Sequence, residues 1–283
     1  MKLLKKVVCF FCFSLMAYPS SAQNVLDGIY VKEHVPTRKV ISFSHLREAD
    51  VMWSKRVWRV MDLGEKMNLP LKYPVTHSIK DRRNLIDVIH DAVLEGTLTA
   101  YKSAQHGGDD EFTVPMTTAE AASLGVKNDT IDFQDPVSLE WTKKITHEEL
   151  NRDKIYKFRI KEDWFFDKQR SVMDVRIIGI APVTKLVSES GEEIGDDELY
   201  WIYFPEARKI FVNNEVFNRG NDGERRTYDD IFMKRFFSSY IIKESNVYNR
   251  RIADYKLNTL DALIEAQKIK DDIFNIEHDV WEY

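Results

Sequence analysis

Apolar positions along this chain follow several rhythms, and each predicts a different kind of element. From Ser44 to about Leu63, the residues Leu46, Ala49, Trp53, Val57 and Val60 recur at helical spacing within a stripe about 80° wide, which predicts a helix facing the core along that stripe. Arg47, Val51 and Trp58 then fall on the opposite side. A tryptophan there either packs under the chain's own loops or contacts a second surface. Gly64, Asn68-Leu69-Pro70 and Pro74 end this helix. A second helix is expected from Asp81 or Arg82 to Glu95, with Leu85, Ile89, Ala92 and Val93 inward and Gly96 as terminator.

Shorter pieces follow. Thr97 to Lys102 predicts a short strand, Gln105 to Glu111 (QHGGDDE) a polar loop, and Thr117 with Glu120 the capped start of a small helix. Asn128 to Pro136 reads as a turn-rich connector, with another short helix near His147 to Arg152. The second half alternates instead. Tyr156, Phe158 and Ile160 interleave with Lys157, Arg159 and Lys161, predicting a half-buried strand with three cations on its open face. Trp164 to Asp167 and a DKQR turn lead to a long strand, Val172 to Val183, interrupted at Gly179 and Pro182. Ser188 to Glu198 reads as an acidic loop.

Leu199 to Phe204 (LYWIYF) is apolar on both faces and predicts a central strand, with Pro205 to Arg208 as a turn and Lys209 to Asn213 as the return strand. Thr227 then caps a helix predicted from 228 to 243, with Asp229 and Asp230 at its positive end. Tyr228, Phe232 and Phe236 form one stripe of that helix. Ile231 and Ile242 flank it on one side, and Met233, Phe237 and Tyr240 on the other. A helix apolar almost all round must be covered, either by the chain's own core or by a partner. Lys256 to Tyr283 predicts a charged helix whose Phe274, Trp281 and Tyr283 dock back onto the protein.

The fold class expected is α+β: a helical N-terminal region and an antiparallel β-meander packed with helices in the C-terminal region. The expected divisions are 1–22, an extended arm at 23–43, a mainly helical region at 44–153, a sheet with the aromatic helix at 154–255, and a helix and tail at 256–283. Residues 1–22 have the form of a signal peptide, with Lys2, Lys5 and Lys6, an apolar run from Val7 to Tyr18 and small residues at Ser20 and Ala22; cleavage is expected between Ala22 and Gln23. That apolar run is about a dozen residues, well short of the roughly 20 needed to span a bilayer, and no other segment reaches that length. Cys9 and Cys12, the chain's two cysteines, would leave with the leader. The remainder would hold together without disulfides, in an oxidising compartment.

Loss of the leader, which carries three lysines and no acid, moves the formal charge from −5 to −8 and leaves no electrostatic case for nucleic acid. Candidate chemistry is sparse. His147-Glu148-Glu149 begins like a zinc-protease motif, but Asn151, where the second histidine would stand, breaks it. Glu192, Glu193, Asp196, Asp197 and Glu198 lack the alternating ligand order of a calcium loop. No metal or cofactor is expected. Asp109, Asp110 and Glu111 are candidates for an acid/base pair in a periplasmic glycan-acting enzyme, which needs two carboxylates about 5 to 9 Å apart across a substrate. A peptide- or glycan-binding module is a further alternative. The cations Lys157, Arg159 and Lys161 and the acids Glu192 and Glu193 form patches of opposite sign that could meet head-to-tail between copies of the chain.

Several long runs carry a family resemblance. FPEARKIFVNNEVFNRGNDGERRTYDDIFMKRFFSSYIIKESNVYNR resembles the signature of the GldN/PorN family, components of the Bacteroidetes type IX secretion and gliding-motility machinery. So do READVMWSKRVWRVMDLGEKMNLPLKYP (47–74), YKSAQHGGDDEFTVPMT (101–117), KIYKFRIKEDWFFDKQRSVMDVRIIGIAPV (154–183) and the closing IFNIEHDVWEY. The resemblance implies a periplasmic, non-enzymatic structural role in a ring beneath the outer membrane. Its implied partners are an outer-membrane lipoprotein, other copies of the chain and the periplasmic part of an inner-membrane motor complex. It supplies no catalytic residues. In that setting Arg47, Val51, Trp58, Phe232, Phe236, Phe237 and Tyr240 are the candidate partner contacts. Asp129-Thr130-Ile131 matches a short O-glycosylation motif of Bacteroidetes periplasmic proteins, with Thr130 as acceptor.

Overall fold

The computed structural model describes residues 35–75, 82–124, 127–134, 141–148, 152–187, 192–221 and 223–281. The expected cleavage site at Ala22 and Gln23, the two cysteines and the closing Tyr283 lie outside the described residues.

The centre is a seven-stranded antiparallel sheet. Its strands are β1 (Val51–Asp62), β2 (Ala100–Lys102), β5 (Lys157–Asp167), β6 (Val172–Val187), β7 (Glu193–Glu198), β8 (Tyr200–Tyr203) and β9 (Tyr240–Glu244). The order across the sheet is β2-β8-β6-β5-β1-β9, with β7 also on β6. A separate hairpin pairs β3 (Lys127–Gln134) with β4 (Trp141–Glu148). Among the described residues six helices accompany the strands: α1 (Leu69–Lys72), α2 (Leu85–Leu94), α3 (Thr118–Ser123), α4 (Phe204–Phe211), α5 (Tyr228–Met233) and α6 (Thr259–Trp281). The fold is α+β.

Local chemistry explains the elements that follow expectation. Asn84 caps α2 by accepting the Asp87 amide at 2.7 Å, and Gly96, with φ of 71°, lies just beyond its end. Leu85, Ile89, Ala92 and Val93 are buried as their spacing requires. Thr117 and Glu120 form a full capping box on α3, as Thr227 and Asp230 do on α5.

Other segments differ. Residues 51–62 form a strand instead of a helix, pairing with β5 along their length and with β9 from Val57 to Val60. Three valines and two tryptophans favour extended backbone there. The region expected to be mainly helical thus supplies an interior strand to the sheet of the second half, so one sheet crosses the expected division at 153–154. Lys209 is not in a return strand. Pro205 starts α4, where its missing N–H costs nothing and its φ suits the first turn. The aromatic helix is short: α5 ends at Met233, Arg235 turns with φ of 55°, and the chain re-enters the sheet as β9. Asn68 fixes that re-entry by exchanging two hydrogen bonds of 2.9 Å with the Ser238 backbone. Residues 193–198 are a strand, and the connector expected at 128–136 and the helix near His147 are largely replaced by the β3–β4 hairpin. β6 runs unbroken through Gly179 and Pro182.

One face of the sheet carries the main core. Met61, Phe158, Ile160, Ile180, Tyr200 and Ile202 pack with Leu85 and Ile89 of α2, Phe204 and Phe211 of α4, and Tyr228 and Phe232 of α5. The polar group at its margin is fully partnered: Glu162, with its side chain 0% exposed, accepts from Arg235 at 2.9 and 3.2 Å and from the Trp164 indole at 3.1 Å. Ile269 and Ile273 of α6 form a smaller cluster with Val57 and Ile241, while Phe274 of the same helix is 65% exposed and does not dock back. At the start of the body, Arg38 reaches the cap of α5 through a two-pronged ion pair with Asp230.

Candidate interaction surfaces

The second face of the sheet is covered by the loop from Gln105 to Thr113, and that loop holds the acid/base candidates. Lys161 lies beneath it, only 1% exposed. Its ammonium donates to the Asp110 carbonyl at 2.5 Å and to Glu111 Oε1 at 3.0 Å, and sits 5.6 Å from the Trp58 ring centre and 5.5 Å from that of Phe112. The Trp58 indole N–H donates to Asp110 Oδ2 at 2.6 Å. Asp109 is turned into its own loop, accepting from Thr113 Oγ1 at 3.0 Å and from the Glu111 amide at 3.1 Å. Burial pushes the Asp109 carboxyl upward, but the bonds from Thr113 and Glu111 outweigh it and leave the pKa below its ordinary value.

Phe112 completes the seal. It holds a left-handed φ of 58° and meets Tyr101, Trp201 and Tyr203 edge-on at 5.5, 6.2 and 5.8 Å. Glycine at 179 makes room for it, since a Cβ there would lie 2.4 Å from Phe112 Cζ. Asp110 and Glu111 therefore close on the Lys161 ammonium, Asp110 also on the Trp58 indole, and Asp109 on Thr113.

The charged patches also meet within one chain. Arg159, 7% exposed, ion-pairs with Glu198 and lies 3.9 Å from Asp196, while Lys157 reaches Asp196 at 3.6 Å. Glu193 pairs with Lys185, and Glu192 is exposed. Tyr156 donates to Asp196, and burial followed by that bond pushes its hydroxyl pKa well above ordinary. The alternating cations read as a solvated face in sequence are thus covered by β7 and by the 105–113 loop. β7 is the acidic segment expected as a loop, so the patches' complementarity is intramolecular.

The expected partner contacts divide. Trp58, Phe232 and Phe237 are buried, at 8%, 1% and 7% exposure. Val51 and Tyr240 are half-buried, Arg47 is exposed and paired with Asp50, and Phe236 is exposed beneath the Arg226 guanidinium. Thr130 stands in β3 opposite Ile145, not in a turn.

The larger open apolar surface lies elsewhere. Leu260, Leu263 and Ile264 at the start of α6 are exposed, and so are Leu257 just before it and Val247 and Tyr248 in the turn after β9. The signal is in the sequence: Leu260, Leu263 and Ile264 recur at i, i+3 and i+4, opposite the stripe of Ala262, Ala266, Ile269 and Ile273 that docks. Beside them is a groove of about 550 Å³. Val60, Ile241, Ile242, Ile252, Ala262 and Leu263 line its apolar part, with Arg159, Asp196 and Arg251 at its polar end.

Among the described residues, no group of three or more His, Cys, Asp or Glu side chains could hold a metal, and no helix is long and apolar enough to cross a membrane. A family model described as "Gliding motility associated protein GldN" matches residues 46–282. No curated protein matches the chain.

Proposed function

The chain belongs to the GldN family of gliding-motility-associated proteins, and from that premise we propose that it is a non-enzymatic structural component of the type IX secretion and gliding machinery. It works in the periplasm, assembling with an outer-membrane lipoprotein into a ring beneath the outer membrane. Other copies of the chain are its neighbours in that ring, and the periplasmic part of an inner-membrane motor complex is a further contact. The observation that carries the reading is the family match across nearly the whole described body. Two structural features support it. The carboxylates best placed by sequence for glycan chemistry are engaged with Lys161, Trp58 and Thr113, and the open surface is apolar, as an assembly contact requires.

The test is an affinity pull-down of tagged protein from detergent-solubilised envelopes, with mass spectrometry and negative-stain imaging. Recovery of a lipoprotein with ring-shaped particles is the expected result. Recovery of a lone monomer would overturn the architectural reading and return attention to the glycan-acting enzyme and binding-module alternatives.

A further inference from the structure

We propose that the groove between β9, the turn at Ile252–Asp254 and the start of α6 receives an amphipathic helix from a different protein. That helix presents a carboxylate from its apolar face and lysine or arginine along its flank. The inference rests on the architectural reading and gives one of its contacts a chemistry.

The polar end of the groove supplies the first argument. Arg159 is 93% buried by its 7% exposure, yet its Nε has no hydrogen-bond partner. A buried donor without an acceptor is destabilising. Its other contacts, Glu198 and Asp196, are taken, and the half-exposed Arg251 adds a second positive charge 3.6 Å from Glu198. Burial, and then Arg251, lower the Arg159 pKa to about 10. Three cations, Lys157, Arg159 and Arg251, share the two carboxylates Asp196 and Glu198, and the half-exposed Arg251 guanidinium is the one an incoming carboxylate can meet.

The apolar part supplies the second. A volume of about 550 Å³ would suit a small ligand. However, the apolar surface continues past the groove onto Leu257, Leu260 and Ile264, at 99%, 62% and 59% exposure. A molecule held in the groove would leave these in water, whereas a helix lying along α6 covers them. Charge then excludes a second copy of α6 as the occupant. This helix carries six acids, from Asp261 to Asp279, against Lys268 and Lys270, so two such helices repel and a basic flank is attracted.

The experiment places the photo-crosslinker p-benzoylphenylalanine at position 264 of the full chain in its native host, with position 48 as the exposed control, and maps adducts by mass spectrometry. The expected result is an adduct specific to position 264 on another protein, in a segment with i, i+3, i+4 apolar spacing, one acid on that face and a basic flank. Its yield should fall about tenfold in Arg251→Gln, the loss expected for one charge-assisted contact, and also in Leu263→Glu, with each variant still folded by circular dichroism. Adducts to a second copy, to lipid or to the chain's own N-terminal residues would overturn the proposal. So would the absence of a protein adduct from envelopes that still yield ring particles, a result that leaves the architectural reading standing. Absence of both adduct and particles overturns both.

Discussion

Two neighbouring stretches of the β1–β5 ladder, one around the Trp58–Lys161 pair and one around the Val60–Arg159 pair, make the instructive comparison. Where Trp58 and Lys161 lie, a polar loop closes over the sheet, and each of its three acids has a partner in the same chain. Where α6 begins, leucines and an isoleucine stand in water beside a groove whose buried arginine has an unmatched N–H. The first stretch is complete in one chain and should govern stability. The second is incomplete and should govern association. Charge count alone would have suggested the reverse, because the polar stretch carries the ions that look available for partners.

Four measurements bear on that contrast. Trp58→Ala has the largest expected effect: it removes a buried ring, the bond to Asp110 and one wall of the Lys161 site, and should cost about 3–5 kcal/mol in urea unfolding. A Trp58→Ala chain that unfolds like the parent but fails to assemble would collapse the comparison. Gly179→Val comes next, at about 1–3 kcal/mol, because its side chain collides with Phe112 and lifts the loop. Resistance of the 105–113 loop to limited proteolysis should fall with it.

The third measurement concerns pH. Burial raises the Asp230 pKa, but Arg38 and Thr227 bring it down to about 2. A carboxyl lower in the folded than in the unfolded state stabilises fully above its unfolded pKa, near 3.9, and the gain disappears as pH falls through about 2. Screening of this partly exposed pair limits the loss to about 1 kcal/mol. Arg38→Ala should flatten the stability profile between those pH values; an unchanged profile would show that the pair does not tie the arm to α5. The smallest effect belongs to Leu260→Ser with Ile264→Ser, within about 0.5 kcal/mol for the isolated chain, since both side chains are already more than half exposed. A large drop in melting temperature would mean that this surface is part of the chain's own core.

What could be read beforehand followed the range of the interactions. The caps of α2, α3 and α5 are set by residues three apart, and Asn84, Thr117 and Thr227 announce them. The alternation of Phe158 and Ile160 likewise identifies β5, and the class α+β follows from such elements. β1 was not legible because Trp53, Val57 and Val60 satisfy a helical stripe as well as a strand; pairing with β5 and β9 decides it. The end of α5 was missed for a similar reason, as Arg235 turns the chain toward a distant Glu162. The covering of Lys161 is equally nonlocal, since alternation shows a second face but not the loop that seals it. The exposed stripe of α6 carries a local signal in the spacing of Leu260, Leu263 and Ile264, which the reading of 256–283 as a charged helix passes over.

The position of β1 also sets a schedule. Its bonded neighbours include Asp163, 107 residues further on, and Ser239, 180 residues further on. A chain emerging from a channel N-terminus first carries this valine- and tryptophan-rich strand with both edges bare until β5 and β9 have followed. Closing loops of that length comes late and slowly, so the growing chain cannot settle its first half as an independent piece. Until about residue 244 is free, β1 is an open template for pairing with other chains, and a chaperone acting on this protein would find its substrate there.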